Sequence, residues 1–174
     1  MSDSLLIACD LHNTLLEADV AWQYAFSTLT GKKPEAIRKL LATGISRHVL
    51  AEQLTVKYED VYSQYYQVLR PIDLMVDIIS LLQSRYPVVL ISGAKKERVD
   101  KDLLKLNAKI KFDLIYTQET FCKSNEQDWV LLREKYGCER IIYIGNDPKE
   151  DVIHSHFVQS LLVPVTDMEM LCND

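Results

Sequence analysis

The sequence predicts an α/β protein: a Rossmann-like parallel sheet with helices on both faces and a helical segment inserted after the first strand. Two observations lead to this fold class. Short apolar runs of strand length alternate with amphipathic helical stretches over most of the chain. One early stretch interrupts this alternation, because it has helical spacing and no strand-like run. Strands that are separated by helices imply parallel pairing, since each crossover helix returns the chain to the same end of the sheet.

The first predicted strand is Leu5–Cys9, an apolar run of the kind that parallel sheets bury on both faces. It ends at Asp10, where the sequence turns polar. We predict that residues 1–16 and 72–174 form the sheet domain and that residues 17–71 form the helical segment. The 174 residues of the chain are enough for one compact domain with such an insertion.

Helical spacing of apolar residues predicts four helices in the inserted segment. Pro34 suits the first turn of the second helix, because that position needs no N–H donor. Ser46 is the expected N-cap of the third helix. The fourth helix begins at Tyr58 and is rich in tyrosine. We expect these rings to pack the segment, and the alternative is that they line a substrate entrance.

Helices and strands then alternate along the rest of the chain. The predicted helices are Asp73–Tyr86, Glu97–Leu106, Glu126–Tyr136 and a last one from about Glu150. The predicted strands are Pro87–Ile91, Phe112–Tyr116, Arg140–Ile144 and Leu161–Val165. Gly137 is expected to end the helix before it, because glycine readily takes the left-handed conformation at that position. Charged residues between Lys95 and Lys105 predict a solvated helix face.

Composition excludes several classes of protein. The formal net charge of −5 argues against a general nucleic-acid binder, which would carry a basic face. No apolar run approaches the roughly 18 residues of a membrane helix, and no signal-peptide pattern is seen. The four cysteines form no C-x-x-C pair, so a zinc ribbon is not expected. We therefore expect a cytoplasmic protein with reduced thiols, and its oligomeric state stays open.

Polar residues follow three of the predicted strands and would meet at one edge of a parallel sheet, where ligands of such sheets bind. They are Asp10, Ser92, Gly93, Asn146, Asp147 and Asp151. Carboxylates that gather in one place repel each other unless a cation lies between them. Because carboxylate oxygens are the ligands that Mg²⁺ prefers, we expect Mg²⁺ as the cofactor of this edge.

Four short motifs resemble those of the haloacid dehalogenase (HAD) superfamily of hydrolases. D-L-H-N-T-L, which begins at Asp10, resembles the first motif, usually D-x-D-x-T, and I-S-G, which ends at Gly93, is similar to the second. G-N-D-P-K-E-D, which ends at Asp151, resembles the fourth. Lys123 stands 24 positions before Asp147 and matches the lysine of the third motif. The resemblance covers the whole chain and implies that the helical segment is a small type-one cap.

The resemblance implies a role for each matched residue. Asp10 would be the nucleophile that attacks phosphorus and becomes an aspartyl-phosphate. Mg²⁺ would bind the Asp10 carboxylate, the backbone carbonyl of His12 and the Asp147 carboxylate. Asp151 would hold a metal-bound water or the ammonium group of Lys123. The implied reaction is hydrolysis of a small phosphate monoester.

Phosphate binding is implied for Ser92, the Gly93 N–H group and Lys123. The residues themselves leave an alternative, because Lys95 and Lys96 come soon after Ser92 and could bind phosphate instead of Lys123.

His12 departs from the family pattern, because phosphatases of the family carry their acid–base aspartate at this position. Histidine also transfers protons near neutral pH, so His12 is a candidate catalytic residue. Alternatively, the substitution marks another chemistry on the same scaffold, such as a phosphotransferase or a phosphonate-cleaving enzyme. A third interpretation is a non-catalytic protein that binds metal and phosphate.

Overall fold

The computed structural model describes residues 4–164, which contain five parallel strands and seven α-helices. The strands are β1 (Leu5–Cys9), β2 (Val88–Ile91), β3 (Leu114–Tyr116), β4 (Arg140–Gly145) and β5 (Val158–Leu162). The helices are α1 (Ala18–Thr30), α2 (Pro34–Leu41), α3 (Arg47–Gln53), α4 (Tyr58–Val68), α5 (Asp73–Leu82), α6 (Lys96–Leu103) and α7 (Glu126–Tyr136). The predicted α/β class and parallel sheet are confirmed.

The strands are ordered β3-β2-β1-β4-β5, and every neighbouring pair is parallel. From β1 the chain builds the sheet in one direction through β2 and β3. It then returns to the other side of β1 to add β4 and β5. The strand order therefore reverses between β1 and β4, and in open parallel sheets the crevice at such a point is the usual ligand site.

The central strand β1 is buried on both faces, as its continuous apolar sequence predicts. Leu6 and Ala8 belong to an apolar cluster that includes Trp129 of α7. Ile7 and Cys9, whose side chains alternate to the opposite face, are equally buried. The centre of the sheet is therefore covered on both faces, and the loops at the strand ends are where polar groups follow the buried strands.

The described chain divides into two compact units, one made of residues up to Leu16 and from Pro71 on, the other made of Glu17–Arg70. The second unit contains α1 to α4 and is packed with aromatic rings. The Trp22 and Tyr65 rings stack with centroids 4.1 Å apart, and both side chains are buried. Whether this unit acts as a cap stays a prediction.

The caps of the helices follow the local sequence. The hydroxyl oxygen of Ser46 accepts the Val49 N–H at 3.3 Å, which is the N-cap of α3 that the sequence predicts. Gly137 ends α7 with a φ of 57°, in the left-handed region that glycine tolerates best. α5, β2 and β3 are shorter than predicted by a few residues at their ends.

The helix predicted from about Glu150 is wrong, because residues 146–157 form an irregular loop. One helical turn starts, in which the Asp151 N–H donates to the Asp147 carbonyl at 2.8 Å. The buried Asp151 carboxylate satisfies nearby N–H groups in this loop, and the Ile153 N–H donates to the Ser160 hydroxyl at 2.9 Å. With side chains as its partners, the backbone does not continue the helix.

Because no helix fills this connection, β5 begins at Val158, three residues before the predicted Leu161. Val165, the predicted last residue of that strand, lies outside the described residues, as does Cys172. The other three cysteines, Cys9, Cys122 and Cys138, carry free thiols. Among the helices of residues 4–164, none has the length and apolar character that crossing a membrane requires.

Candidate functional site

Two buried carboxylates and one ammonium group meet at the crevice between β1 and β4. Asp10 follows β1 and is 6% exposed, and Asp151 lies in the loop after β4. The Lys123 ammonium group donates to the Asp10 Oδ1 at 3.0 Å and to the Asp151 Oδ1 at 2.7 Å. Three residues from distant parts of the sequence therefore form one charged cluster at the predicted place.

Lys123 is held in place by the start of α7. Its carbonyl accepts the indole N–H of Trp129 at 2.8 Å, and the Trp129 ring is fully buried. The Asn125 side chain caps α7 by accepting the Gln127 N–H at 3.2 Å. These contacts fix the backbone at Lys123. Its side chain therefore reaches the crevice from a restrained position, and little conformational entropy is lost when the ammonium group binds an anion.

The Asp151 carboxylate organises the loop after β4. Its Oδ2 accepts the N–H groups of Asn146 and Asp147, each at 2.9 Å, and its Oδ1 accepts the Tyr143 hydroxyl at 2.8 Å. A Cβ atom at Gly145 would overlap the Asp151 side chain, so this position accepts only glycine without rearrangement. Asp151 therefore holds both the loop and Lys123.

Burial and mutual attraction oppose each other in the pKa values of the cluster. Burial raises the pKa of Asp10 above its usual range, and Lys123 only partly counters this effect. Burial also acts to raise the pKa of Asp151, but Lys123 and the backbone N–H groups outweigh it and lower that pKa. The pKa of Lys123 is raised, because its two carboxylates outweigh the effect of burial. The ammonium group therefore stays charged at neutral pH.

Ser92 and Gly93 follow β2, the neighbour of β1, as predicted. Ser92 is buried, and its hydroxyl oxygen accepts the Ala94 N–H at 3.3 Å. Gly93 and Lys123 line a cavity of about 520 Å³. The Lys96 ammonium group instead pairs with Asp100 at 2.6 Å on the exposed surface of α6, away from the buried cluster.

The remaining lining of this cavity comes from two segments, the chain before and at the start of α7 and the loop after β4. Phe121 and Trp129 contribute apolar surface, while Lys149 and His154 contribute polar surface. The cavity is therefore of mixed character and lies directly beside the phosphate ligands that the sequence predicts.

His12 has a partner that the sequence did not suggest. Its Nε2 lies 2.9 Å from the Oδ2 of Asp102, which is fully buried. The Arg98 Nε donates to the same oxygen at 3.3 Å. The solvated face predicted for α6 is therefore wrong at Asp102. The signal was its position three residues after Val99 and four before Leu106, on the apolar stripe of the helix.

Burial lowers the pKa of His12, and the Arg98 guanidinium adds to this effect. The hydrogen bond with Asp102 and the charges of Asp10 and Asp102 act in the opposite direction without reversing it. The imidazole is therefore mainly neutral at neutral pH. The ring nitrogen that faces Asp102 is Nε2, so in the tautomer that carries its hydrogen on Nε2 the imidazole donates to this carboxylate.

The crevice offers oxygen atoms to a cation. Asp147 is half-buried, and its Oδ1 accepts the Lys149 N–H at 2.7 Å, while Asp10 contacts Lys123 through its Oδ1. In the described part of the chain, no side chain or N–H group bonds to the other oxygen of either carboxylate, so this oxygen can face a cation. Within residues 4–164, no three His, Cys, Asp or Glu side chains form a metal-binding group. The carboxylates of Asp10 and Asp147 and the predicted carbonyl ligand of His12 suit Mg²⁺. This ion needs few protein ligands, because water molecules and substrate oxygens complete its coordination.

Comparison with known proteins gives matches at the level of structure only. No protein-family model matches the sequence, and no curated protein matches it. A hydrolase from Streptococcus pneumoniae superposes with a TM-score of 0.73, at 18% identity over 97% of this chain and 98% of that one. A predicted phosphoglycolate phosphatase from Haemophilus somnus gives 0.64, at 14% identity over 95% and 91%.

A HAD family enzyme from Bacteroides thetaiotaomicron, solved in complex with magnesium and inorganic phosphate, also matches the chain. Its TM-score is 0.62, at 12% identity over 97% of this chain and 99% of that one. The three proteins are similar to this chain along its whole length. At such low identity the similarity shows a shared fold.

Proposed function

Because the chain has the fold of the HAD-superfamily hydrolases, we propose that it is a Mg²⁺-dependent phosphatase that hydrolyses a small phosphate monoester through an aspartyl-phosphate on Asp10. The observation that carries the proposal is the lysine that bridges two buried carboxylates at the crevice of the sheet. A phosphate group that enters this crevice meets a nucleophile on one side and a fixed cation on the other.

In the first step a carboxylate oxygen of Asp10 attacks phosphorus, and the bond from phosphorus to the ester oxygen breaks. The ester oxygen leaves with the bonding electrons and takes its proton from water. Lys123, Ser92 and the Gly93 N–H bind the other phosphoryl oxygens, whose negative charge must be stabilised as the bonds change. Asp151 keeps Lys123 aimed at this position through its 2.7 Å contact.

In the second step a water oxygen attacks the phosphorus of the aspartyl-phosphate. The bond from phosphorus to Asp10 breaks, Asp10 returns as a carboxylate, and inorganic phosphate leaves. The proton of the attacking water passes to His12, which stands two residues after the nucleophile and then releases it to solvent, replacing the proton that the leaving group took in the first step.

Mg²⁺ would be held by the Asp10 and Asp147 carboxylates and the His12 carbonyl, and when bound it neutralises charge between the nucleophile and the phosphate. Two facts support this assignment. All of these ligand atoms are oxygens, and within residues 4–164 the carboxylates of Asp10 and Asp147 each form a hydrogen bond through Oδ1 only. The magnesium and phosphate in the Bacteroides enzyme of the same fold also support it.

The test is a panel of phosphate esters assayed with Mg²⁺, without Mg²⁺ and with a chelator. We expect turnover that requires Mg²⁺ and releases inorganic phosphate. Transfer of phosphate to an added alcohol in place of water would favour the phosphotransferase. Absence of turnover on the whole panel, with Mg²⁺ still bound by calorimetry, would show a non-catalytic binding protein.

The cavity beside Gly93 and Lys123 supports a small-molecule leaving group, because its volume of about 520 Å³ is typical of small-molecule sites. We predict that Val152→Trp, which fills the cavity from the loop after β4, lowers kcat/KM for aryl esters about tenfold or more. Hydrolysis of acetyl phosphate, whose leaving group is small, should change by less than about twofold. The measurement is initial-rate kinetics on both substrates.

Leu131→Trp is the matched control, because Leu131 lies on the exposed surface of α7 outside this cavity. It should leave both substrates unaffected. An equal loss on both substrates in Val152→Trp would mean that the cavity does not receive the leaving group.

A further inference from the structure

We propose that Asp102 is a positioning residue of the reaction: its carboxylate accepts the Nε2 hydrogen of His12 and so presents the Nδ1 lone pair to the attacking water. The inference rests on the proposed phosphatase function and adds to it a residue of α6 that belongs to none of the four motifs. The juxtaposition of His12 with a fully buried carboxylate carries it.

A buried carboxylate is costly unless charged or hydrogen-bonding groups surround it. Asp102 is fully buried, and its Oδ2 meets two nitrogen donors, the Nε2 of His12 at 2.9 Å and the Nε of Arg98 at 3.3 Å. An aspartate that only makes a helix soluble lies on its exposed face, and Asp100 is such a residue in α6. Asp102 therefore occupies its position because it binds groups inside the protein.

The contact decides which ring nitrogen of His12 can accept a proton. Neutral imidazole carries one hydrogen, and the nitrogen next to a carboxylate holds it. With that hydrogen on Nε2, the free lone pair is on Nδ1. The water that attacks the aspartyl-phosphate then passes its proton to Nδ1, while the Nε2 hydrogen stays with Asp102.

The contact also restrains the ring. His12 lies in the loop between β1 and α1, where the next residue, Asn13, has a φ of 61°. A side chain on such a loop has several rotamers, and a hydrogen bond to a helix selects one of them. The His12 side chain is only 15% exposed, so solvent offers little competition for this bond. Asp102 thus fixes both the tautomer and the orientation.

The test is a double-mutant cycle of His12→Gln and Asp102→Asn. The Gln side chain keeps an N–H donor toward Asp102 but transfers no proton, and the Asn side chain keeps the shape of Asp102 without its charge. We expect His12→Gln to lower kcat about 10²-fold or more and Asp102→Asn to lower it at least about tenfold. In the His12→Gln background, Asp102→Asn should have less than about a twofold effect.

A second readout separates positioning from damage to the fold. Both single variants should accumulate the aspartyl-phosphate under turnover, seen by mass spectrometry after acid quenching, because only the second step is slowed. Asp100→Asn, an exposed acid of the same helix, is the matched control and should change neither kcat nor the phosphorylated fraction. KM should change little in Asp102→Asn, because Asp102 does not touch the substrate.

An equal loss of kcat from Asp102→Asn in both backgrounds would overturn the inference and leave the phosphatase function standing. So would a lower phosphorylated fraction in Asp102→Asn than in the wild type. A wild-type protein that never forms the aspartyl-phosphate would overturn the proposed function, and the inference with it.

Discussion

Asp10→Asn is expected to abolish turnover, with kcat lowered by about 10⁴-fold or more. The amide nitrogen and oxygen of asparagine cannot form the acyl phosphate, so the covalent route is closed. The size and shape of the side chain are nearly unchanged, and the remaining oxygen can still accept a hydrogen bond from Lys123, which lies 3.0 Å from the Asp10 Oδ1. The measurement is initial rates of p-nitrophenyl phosphate hydrolysis with Mg²⁺.

Mass spectrometry of acid-quenched protein gives the corresponding chemical result. The wild type should gain one phosphate on the peptide that contains Asp10, and the variant should gain none. Retention of more than about a tenth of wild-type activity in Asp10→Asn would show that Asp10 is not the nucleophile.

Lys123→Met is expected to have the largest combined effect on stability and activity. It removes the cation between the buried carboxylates of Asp10 and Asp151 and leaves both without this charged partner. The free energy of unfolding at neutral pH should fall by about 3–5 kcal/mol, as for other buried charges that lose a partner. Turnover should fall about 10²–10³-fold, because a donor to the phosphoryl group is lost. Urea denaturation and initial rates measure the two effects.

Lys96→Met is the matched control, because Lys96 forms an exposed pair with Asp100 on α6. Its free energy of unfolding should change by less than about 1 kcal/mol, as for other surface ion pairs. The same control compares the two lysines as phosphate ligands. Loss of turnover in Lys96→Met together with a nearly active Lys123→Met would assign the phosphate to Lys96.

Much of the fold could be predicted from local sequence patterns. The apolar run of β1 is typical of a strand that is covered on both faces, and Gly137 ends α7 in the left-handed conformation. The loop before β5 could not be predicted in the same way. Its helical pattern is real over one turn, but the buried Asp151 carboxylate competes for the N–H groups. This competition depends on the burial of Asp151 in the folded chain, and the spacing of apolar residues in the sequence does not show it.

Part of the candidate site could be predicted from the sequence, and part of it depends on tertiary contacts. The ends of the predicted strands gave Asp10, Ser92 and Asp147 as candidates, because parallel strands bring their carboxyl ends to one edge. Asp102 could not be found by that reasoning, since it lies 90 residues from His12 on the side of a charged helix. Its spacing from Val99 and Leu106, which are both buried, is a weak sequence signal, and only the folded chain shows which partner it meets.

The close packing of Gly145 against Asp151 limits which substitutions this sequence can accept during evolution. Any side chain at position 145 would displace the carboxylate that holds Lys123, so neither residue can change alone without loss of the site. We therefore expect substitutions at this pair to be tolerated only together. In proteins of the same fold with 12–18% identity, we expect two residues to be retained together. They are a glycine at the end of the fourth strand and an aspartate six positions after it.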